Sequence, residues 1–126
     1  MTEPRRFRAL NVTRNSIVAE HLDDSGGAAG RARGLMGRDS MGPGCGMLFR
    51  AGIIPLMWMH MFFMRFPIDV VFLDGDGSVL KIDHGLRPWR LSSVVFGART
   101  ALELRAGAAC ASRTEPGDRI VLEVAG

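Results

Sequence analysis

The sequence is poor in the features that would declare a function outright. It has two cysteines, Cys45 and Cys110, far apart in the chain. That is no disulfide framework, and it reads as two free thiols in a reducing compartment. It has no apolar stretch long enough to cross a membrane. The charge-free run 51–64 contains Pro55 and His60 and falls short of the roughly 20 residues that a spanning helix needs. The N-terminus starts basic, but Asn11, Arg14 and Asn15 interrupt any apolar core of a secretion signal. The expected location is therefore cytoplasmic, with no membrane partner.

A strong charge imbalance is missing too. Sixteen basic residues face thirteen acidic ones, for a net charge of +3. All the basic residues but Lys81 are arginine, and they are spread thinly. Arg5-Arg6-Phe7-Arg8 is their one local concentration. Nucleic-acid binding needs a basic face or a recognisable motif. Neither is present, so nucleic acid is not an expected partner. No serine stands in a nucleophile elbow, and no motif calls for a cofactor.

What remains is a chain of 126 residues, 47% hydrophobic and 23% charged. That is the size and composition of one soluble globular domain spanning 1–126. Its pattern is mostly β. Residues 6–12 and 16–22 read as a hairpin around the turn 13–15. Residues 47–50, 68–74, 78–84, 93–96, 101–104 and 119–124 read as further short strands. Asp74-Gly75-Asp76-Gly77 is the strongest turn signal. Helical turns are expected only within 29–38 and 106–118. Many short strands without interleaved full-length helices predict a small sandwich- or barrel-like, mainly β domain with one or two short helical segments.

The segment 57–64, Met-Trp-Met-His-Met-Phe-Phe-Met, is unusual. Thioethers and imidazole suit Cu(I), so Met57, Met59, His60 and Met61 form a candidate soft-metal set. In an extended chain, however, alternate side chains face opposite sides. Met57, Met59 and Met61 then share one face, and His60 points away with Trp58 and Phe62. The favoured expectation is a strand buried on both faces, with methionine as filler.

The polar residues near these strands supply the remaining candidates. Asp69, at a strand start among apolar neighbours, is expected to be buried and clamped by Arg38 or Arg65. Glu103 has the same ambiguity between structure and ligand. Asp74 and Asp118 are expected to cap turns. His60 is expected as a core histidine bonded to a carbonyl. Paired with Asp69, it would be a general base. Cys45, in a loop-like Gly-Pro-Gly-Cys-Gly sequence, is the candidate nucleophile. Residues 86–90, Leu-Arg-Pro-Trp-Arg, form the most suggestive surface element, because Trp with Arg is typical of contact sites.

The segments 33–38 (RGLMGR), 46–49 (GMLF), 66–74 (FPIDVVFLD), 86–90 (LRPWR), 101–107 (ALELRAG) and 116–123 (PGDRIVLE) occur in this order. As an ordered set, from about residue 31 to 124, they resemble the domain-of-unknown-function 192 family of small bacterial and archaeal proteins. The resemblance implies a compact, mainly β single domain and carries over no activity or catalytic residue. The expected function is thus a non-catalytic binding domain for a small polar or anionic ligand or a partner protein. Its candidate contacts are Arg38, His60, Arg65, Asp69, Trp89, Arg90 and Glu103. Cu(I) binding and an enzyme using Cys45 or the His60–Asp69 pair are the alternatives.

Overall fold

The computed structural model describes residues 6–24 and 39–125. Among the described residues, nine strands and one helix follow in chain order: β1 (Arg6–Asn11), β2 (Ser16–Asp24), β3 (Cys45–Arg50), β4 (Leu56–Met57), β5 (Ile68–Leu73), β6 (Val79–Leu86), β7 (Val95–Phe96), β8 (Thr100–Arg105), α1 (Ala108–Ala111) and β9 (Ile120–Val124). The strands expected from sequence are present, and α1 is the helical turn expected within 106–118. The other helical expectation, over 29–38, lies outside the described residues.

Seven strands form one sheet in the order β6-β5-β8-β3-β2-β1-β9, while β4 and β7 form a separate ribbon. Neighbours in the sheet are antiparallel except β2 and β3. The hairpin β1–β2 turns through Asn15 at φ 55°, a conformation that asparagine tolerates. The β5–β6 turn is built by Asp74, whose Oδ1 accepts the N–H groups of Asp76 and Ser78.

The sheet curls until its outer strands nearly meet. Val79 N–H donates to the Asp118 carbonyl and Ile120 N–H to the Gly77 carbonyl, both at 2.8 Å. Gly77, at φ 85°, sits against the Ile120 carbonyl where a Cβ has no room. These bonds cover edges that would otherwise lie open.

Curling gives the central strands two buried faces. Every residue of β5 is buried. Val71 and Leu73 point into the trough with Leu22, Leu48 and Leu102. Ile68, Val70 and Phe72 point the other way, against Met47, Phe49 and the methionines 57, 59, 61 and 64. The β4–β7 ribbon and its flanks therefore act as a lid on the convex face of the sheet, and thioethers fill the space beneath. Gly46 lets β3 pass between β2 and β8, since a Cβ there would stand 2.6 Å from the Glu103 carbonyl oxygen.

Candidate functional site

The lid segment alternates as an extended chain should. Met57, Met59 and Met61 are 2%, 7% and 0% exposed, while Trp58 and Phe62 are 48% and 40% exposed. His60 is exposed with them. The expectation of burial on both faces is thus half right: methionine fills the core and the rings face solvent. Only Leu56–Met57 is regular strand. Beyond it the chain stays paired to 90–92 through Ser92 N–H to the Met59 carbonyl (2.8 Å), Met61 N–H to the Arg90 carbonyl (2.8 Å) and Trp89 N–H to the Met61 carbonyl (2.7 Å). Opposed residues share a face. Phe96 stands opposite Leu56 and Leu91 opposite His60, so both add to the outer surface.

Two turns close the end of this ribbon, and they have the same form. In 61–64, Met64 N–H donates to the Met61 carbonyl, and in 87–90, Arg90 N–H donates to the Arg87 carbonyl, each at 3.3 Å. The third position of each turn has a left-handed backbone: φ 63° at Phe63 and 66° at Trp89. Such positions ordinarily take glycine or asparagine, and Pro88 occupies the second position, where proline is favoured. A bulky residue there costs on the order of 1–3 kcal/mol. The two strained residues touch, with ring centroids 4.9 Å apart. Trp89 also meets Phe62 at 6.0 Å, and Phe62 stacks on His60 at 4.8 Å with 24° between planes. His60, Phe62, Trp89 and Phe63 thus form a continuous row of rings at the surface.

Arg87 and Arg90 flank Trp89 in sequence. Both are exposed, and neither forms an ion pair among the described residues. Arg65 is exposed as well but binds Asp39 at 2.8 Å. Arg38 lies outside the described residues.

The other predicted residues are placed elsewhere. Asp69 is buried, as expected, but among the described residues no arginine clamps it, and Arg65 is paired with Asp39 instead. Its carboxylate accepts the N–H groups of Gly85 (2.9 Å), Gly107 (3.0 Å) and Ala109 (3.1 Å). The start of α1 offers free amides there, and three amide donors do what a guanidinium would have done. His60 is not a core histidine. Its ring lies on the outside, with Nδ1 accepting the Phe62 N–H at 3.2 Å, because the inward positions of the alternation belong to methionine. His60 and Asp69 therefore form no pair. Glu103 is buried in β8 with Met47 and Val70 as its ladder neighbours. Cys45 is the first residue of β3 and half-buried rather than in an exposed loop. It lines a cleft of about 250 Å³ with Arg6, His21 and Asp23. The soft-metal set does not converge, since its thioethers face inward and its imidazole outward. Asp118 is more than a turn cap: it accepts hydrogen bonds from Asn11, Arg14 and the Glu115 amide.

The sequence pattern of the family DUF192, described as "Uncharacterized ACR", matches residues 15–122. The chain belongs to this family. The match reaches further toward the N-terminus than the motifs alone and takes in all of β2. Two archaeal relatives are named UPF0127 proteins. The one from Thermococcus sibiricus is 39% identical over 66 residues, which is 52% of this chain and 42% of that protein. The one from Pyrococcus abyssi is 34% identical over 95 residues, 71% of this chain and 75% of that protein. The chain thus spans less than half of the Thermococcus protein. Among solved structures, a Sinorhizobium meliloti protein provisionally named a transcription regulator superposes with a TM-score of 0.80 at 26% identity, over 95% of this chain and 94% of that one. A protein of unknown function from Novosphingobium aromaticivorans gives a TM-score of 0.78 at 21% identity, over 92% and 83% of the two chains. This last likeness concerns the fold alone.

In this DUF192 chain the sequence singled out Trp89 and Arg90 as a surface element and His60 as a core residue. It did not single out Phe62, Phe63, Leu91 or Phe96, which stand at the same surface. The signal for Phe62 was available, because the same period of two that turns Met61 inward turns Phe62 outward. Nothing in the sequence marked Phe63, since its position follows from an atypical turn.

Proposed function

We propose that this protein is a non-catalytic binding domain that engages a partner protein through the ring surface of its lid. The partner segment would be apolar and flanked by acidic residues. The observation that carries this reading is the pair of strained turns presenting Phe63 and Trp89, which are 62% and 58% exposed. The fold bears a backbone cost to hold these rings in water, and strain of this kind concentrates at sites of function. Exposed apolar surface of this extent is a feature of interaction sites. A small ligand would instead favour an enclosure that buries most of its surface. Trp and Arg dominate binding energy where they occur at interfaces, and the unpaired Arg87 and Arg90 favour a partner bearing carboxylates.

Nucleic acid fits less well, although the Sinorhizobium relative's provisional name points there. Rings can stack on bases, but such sites also need a basic groove along the backbone. Here Arg6, Arg8, Arg14, Arg50 and Arg65 are already matched to carboxylates. Copper binding is not favoured, for the geometric reason given above.

Panning a random peptide-display library on the protein, and on a variant carrying Phe63→Gly and Trp89→Gly, tests the reading. Peptides with aromatic or aliphatic residues beside Asp or Glu should be enriched on the parent only. Their binding should quench tryptophan fluorescence. Equal enrichment on both proteins would overturn the proposal. So would tight binding of a single-stranded oligonucleotide lost in the same variant, or a self-association in ultracentrifugation that the variant abolishes.

A further inference from the structure

The Asp69 carboxylate joins two pieces of backbone that are distant in sequence. One oxygen accepts from Gly85, next to His84 on β6. The other accepts from Gly107 and Ala109 at the start of α1, next to Cys110. Tying the backbones together brings the neighbouring side chains together. Cys110 Sγ lies 4.0 Å from His84 Nδ1, and both residues are exposed. His84 also lines an open depression of about 390 Å³ with Asp83, Arg87 and Arg90. Asp83 is turned away toward Ser93, accepting its N–H at 2.6 Å and its hydroxyl at 2.8 Å. These neutral donors leave the Asp83 carboxylate charged, so the two guanidinium groups outnumber it and the depression keeps a net positive lining.

We propose that Cys110 is a thiol-exchange site that takes a small anionic disulfide. Arg87 and Arg90 attract its carboxylates, and His84 accepts the thiol proton. The thiolate is the reactive form of cysteine, and an adjacent base promotes it. The Cys110 sulfur attacks one sulfur of the disulfide and forms a new S–S bond to it. The S–S bond of the incoming molecule breaks, and its other half leaves as a thiolate that takes the proton from His84. Cys110 is oxidised to a mixed disulfide and the incoming disulfide is reduced by the same two electrons, so no further reactant is needed. Cys45 is the internal comparison. It is half-buried and shares a cleft with His21, but it makes no side-chain hydrogen bond to histidine among the described residues. The site shares Arg87 and Arg90 with the partner reading, but its reacting groups, Cys110 and His84, are not rings of the lid, so the His84→Asn arm of the test fails or holds apart from that reading.

The test incubates the full chain with oxidised glutathione and follows each cysteine-containing peptide by mass spectrometry. Cys110 should form its mixed disulfide faster than Cys45. His84→Asn should slow Cys110 by about tenfold and leave Cys45 unchanged. Since His84 is exposed, this variant should melt as the parent does. Replacing both Arg87 and Arg90 with Ser should slow the reaction with oxidised glutathione but not that with the neutral hydroxyethyl disulfide. Equal rates at the two cysteines, or an unchanged rate in His84→Asn, would overturn the site. Equal slowing with both disulfides would overturn the recognition by arginine.

Discussion

Phe63 and Trp89 hold each other at the tip of the lid: their ring centroids are 4.9 Å apart, and each sits in the left-handed backbone region that its own side chain disfavours. The contact contributes about 0.5–1.5 kcal/mol, which is of the same order as the strain in one of the turns. Replacing one of the two residues removes the contact and relieves one turn, so the two effects nearly cancel for the stability of that variant, but they do not cancel for binding.

Glycine at either position should therefore separate the two. Phe63→Gly and Trp89→Gly remove a ring and relieve a strained φ, so each should change unfolding free energy by no more than about 1 kcal/mol. Binding of the peptides selected on the parent protein should fall by tenfold or more in each variant, in keeping with the loss of about 2 kcal/mol at an interfacial aromatic. Denaturant melts and fluorescence titration give the two numbers. A large loss of stability would mean that the rings serve the fold, and the ring surface would lose its claim to function.

The methionines should behave in the opposite way. Met61 is fully buried, so Met61→Ala should cost about 2–5 kcal/mol, whereas Met61→Leu should cost less than about 1.5 kcal/mol because volume is conserved. Near-equal losses for the two variants in a urea melt would show that the sulfur does something packing does not require.

How far the sequence could be read follows from what each feature writes into it. β5 and β6 were legible because β-branched residues flank a turn whose Asp74 caps the very amides that an Asp-Gly turn exposes. The alternation in 57–62 was legible as a period of two. Which side faced water was not, since Trp58 and Phe62 are as apolar as the methionines they oppose. The partners of Asp69 were hidden for a different reason: backbone amides carry no residue identity, so the pattern suggested arginine. Cys110 passed as an ordinary free thiol because His84 reaches it only through the fold. The turn at Trp89 announced itself by Pro88 alone, with a tryptophan where turn chemistry expects glycine.

Removing the Asp69 acceptor should be among the most damaging polar substitutions. Asp69→Ala leaves the N–H groups of Gly85, Gly107 and Ala109 without their acceptor at a site where Asp69 itself is 1% exposed. Of the three donors only the Ala109 amide is buried, and leaving a buried donor unsatisfied costs about 1–3 kcal/mol, so a loss of about 1–3 kcal/mol is expected in a chemical melt. Hydrogen exchange should rise at Ala109 and Gly107 first. A variant as stable as the parent would show that water replaces the carboxylate without loss.

Asp118 makes stability depend on acid. Its carboxyl is held at about 2, below the ordinary 3.8, chiefly by the hydrogen bond from Arg14 and also by those from Asn11 and the Glu115 amide, against the opposing effect of burial. A carboxyl depressed in the folded state favours folding in its ionised form. The stabilisation is therefore complete above pH 3.8 and is lost as the pH falls toward 2. Arg14→Met removes the largest cause, so the variant should lose stability at neutral pH and converge on the parent in acid. Paired thermal melts across that window measure the difference directly. A gap between parent and Arg14→Met that stays constant down to the acid limit would show that Arg14 acts through packing of its side-chain stem, since only a charge-assisted bond to Asp118 disappears when the carboxylate takes a proton.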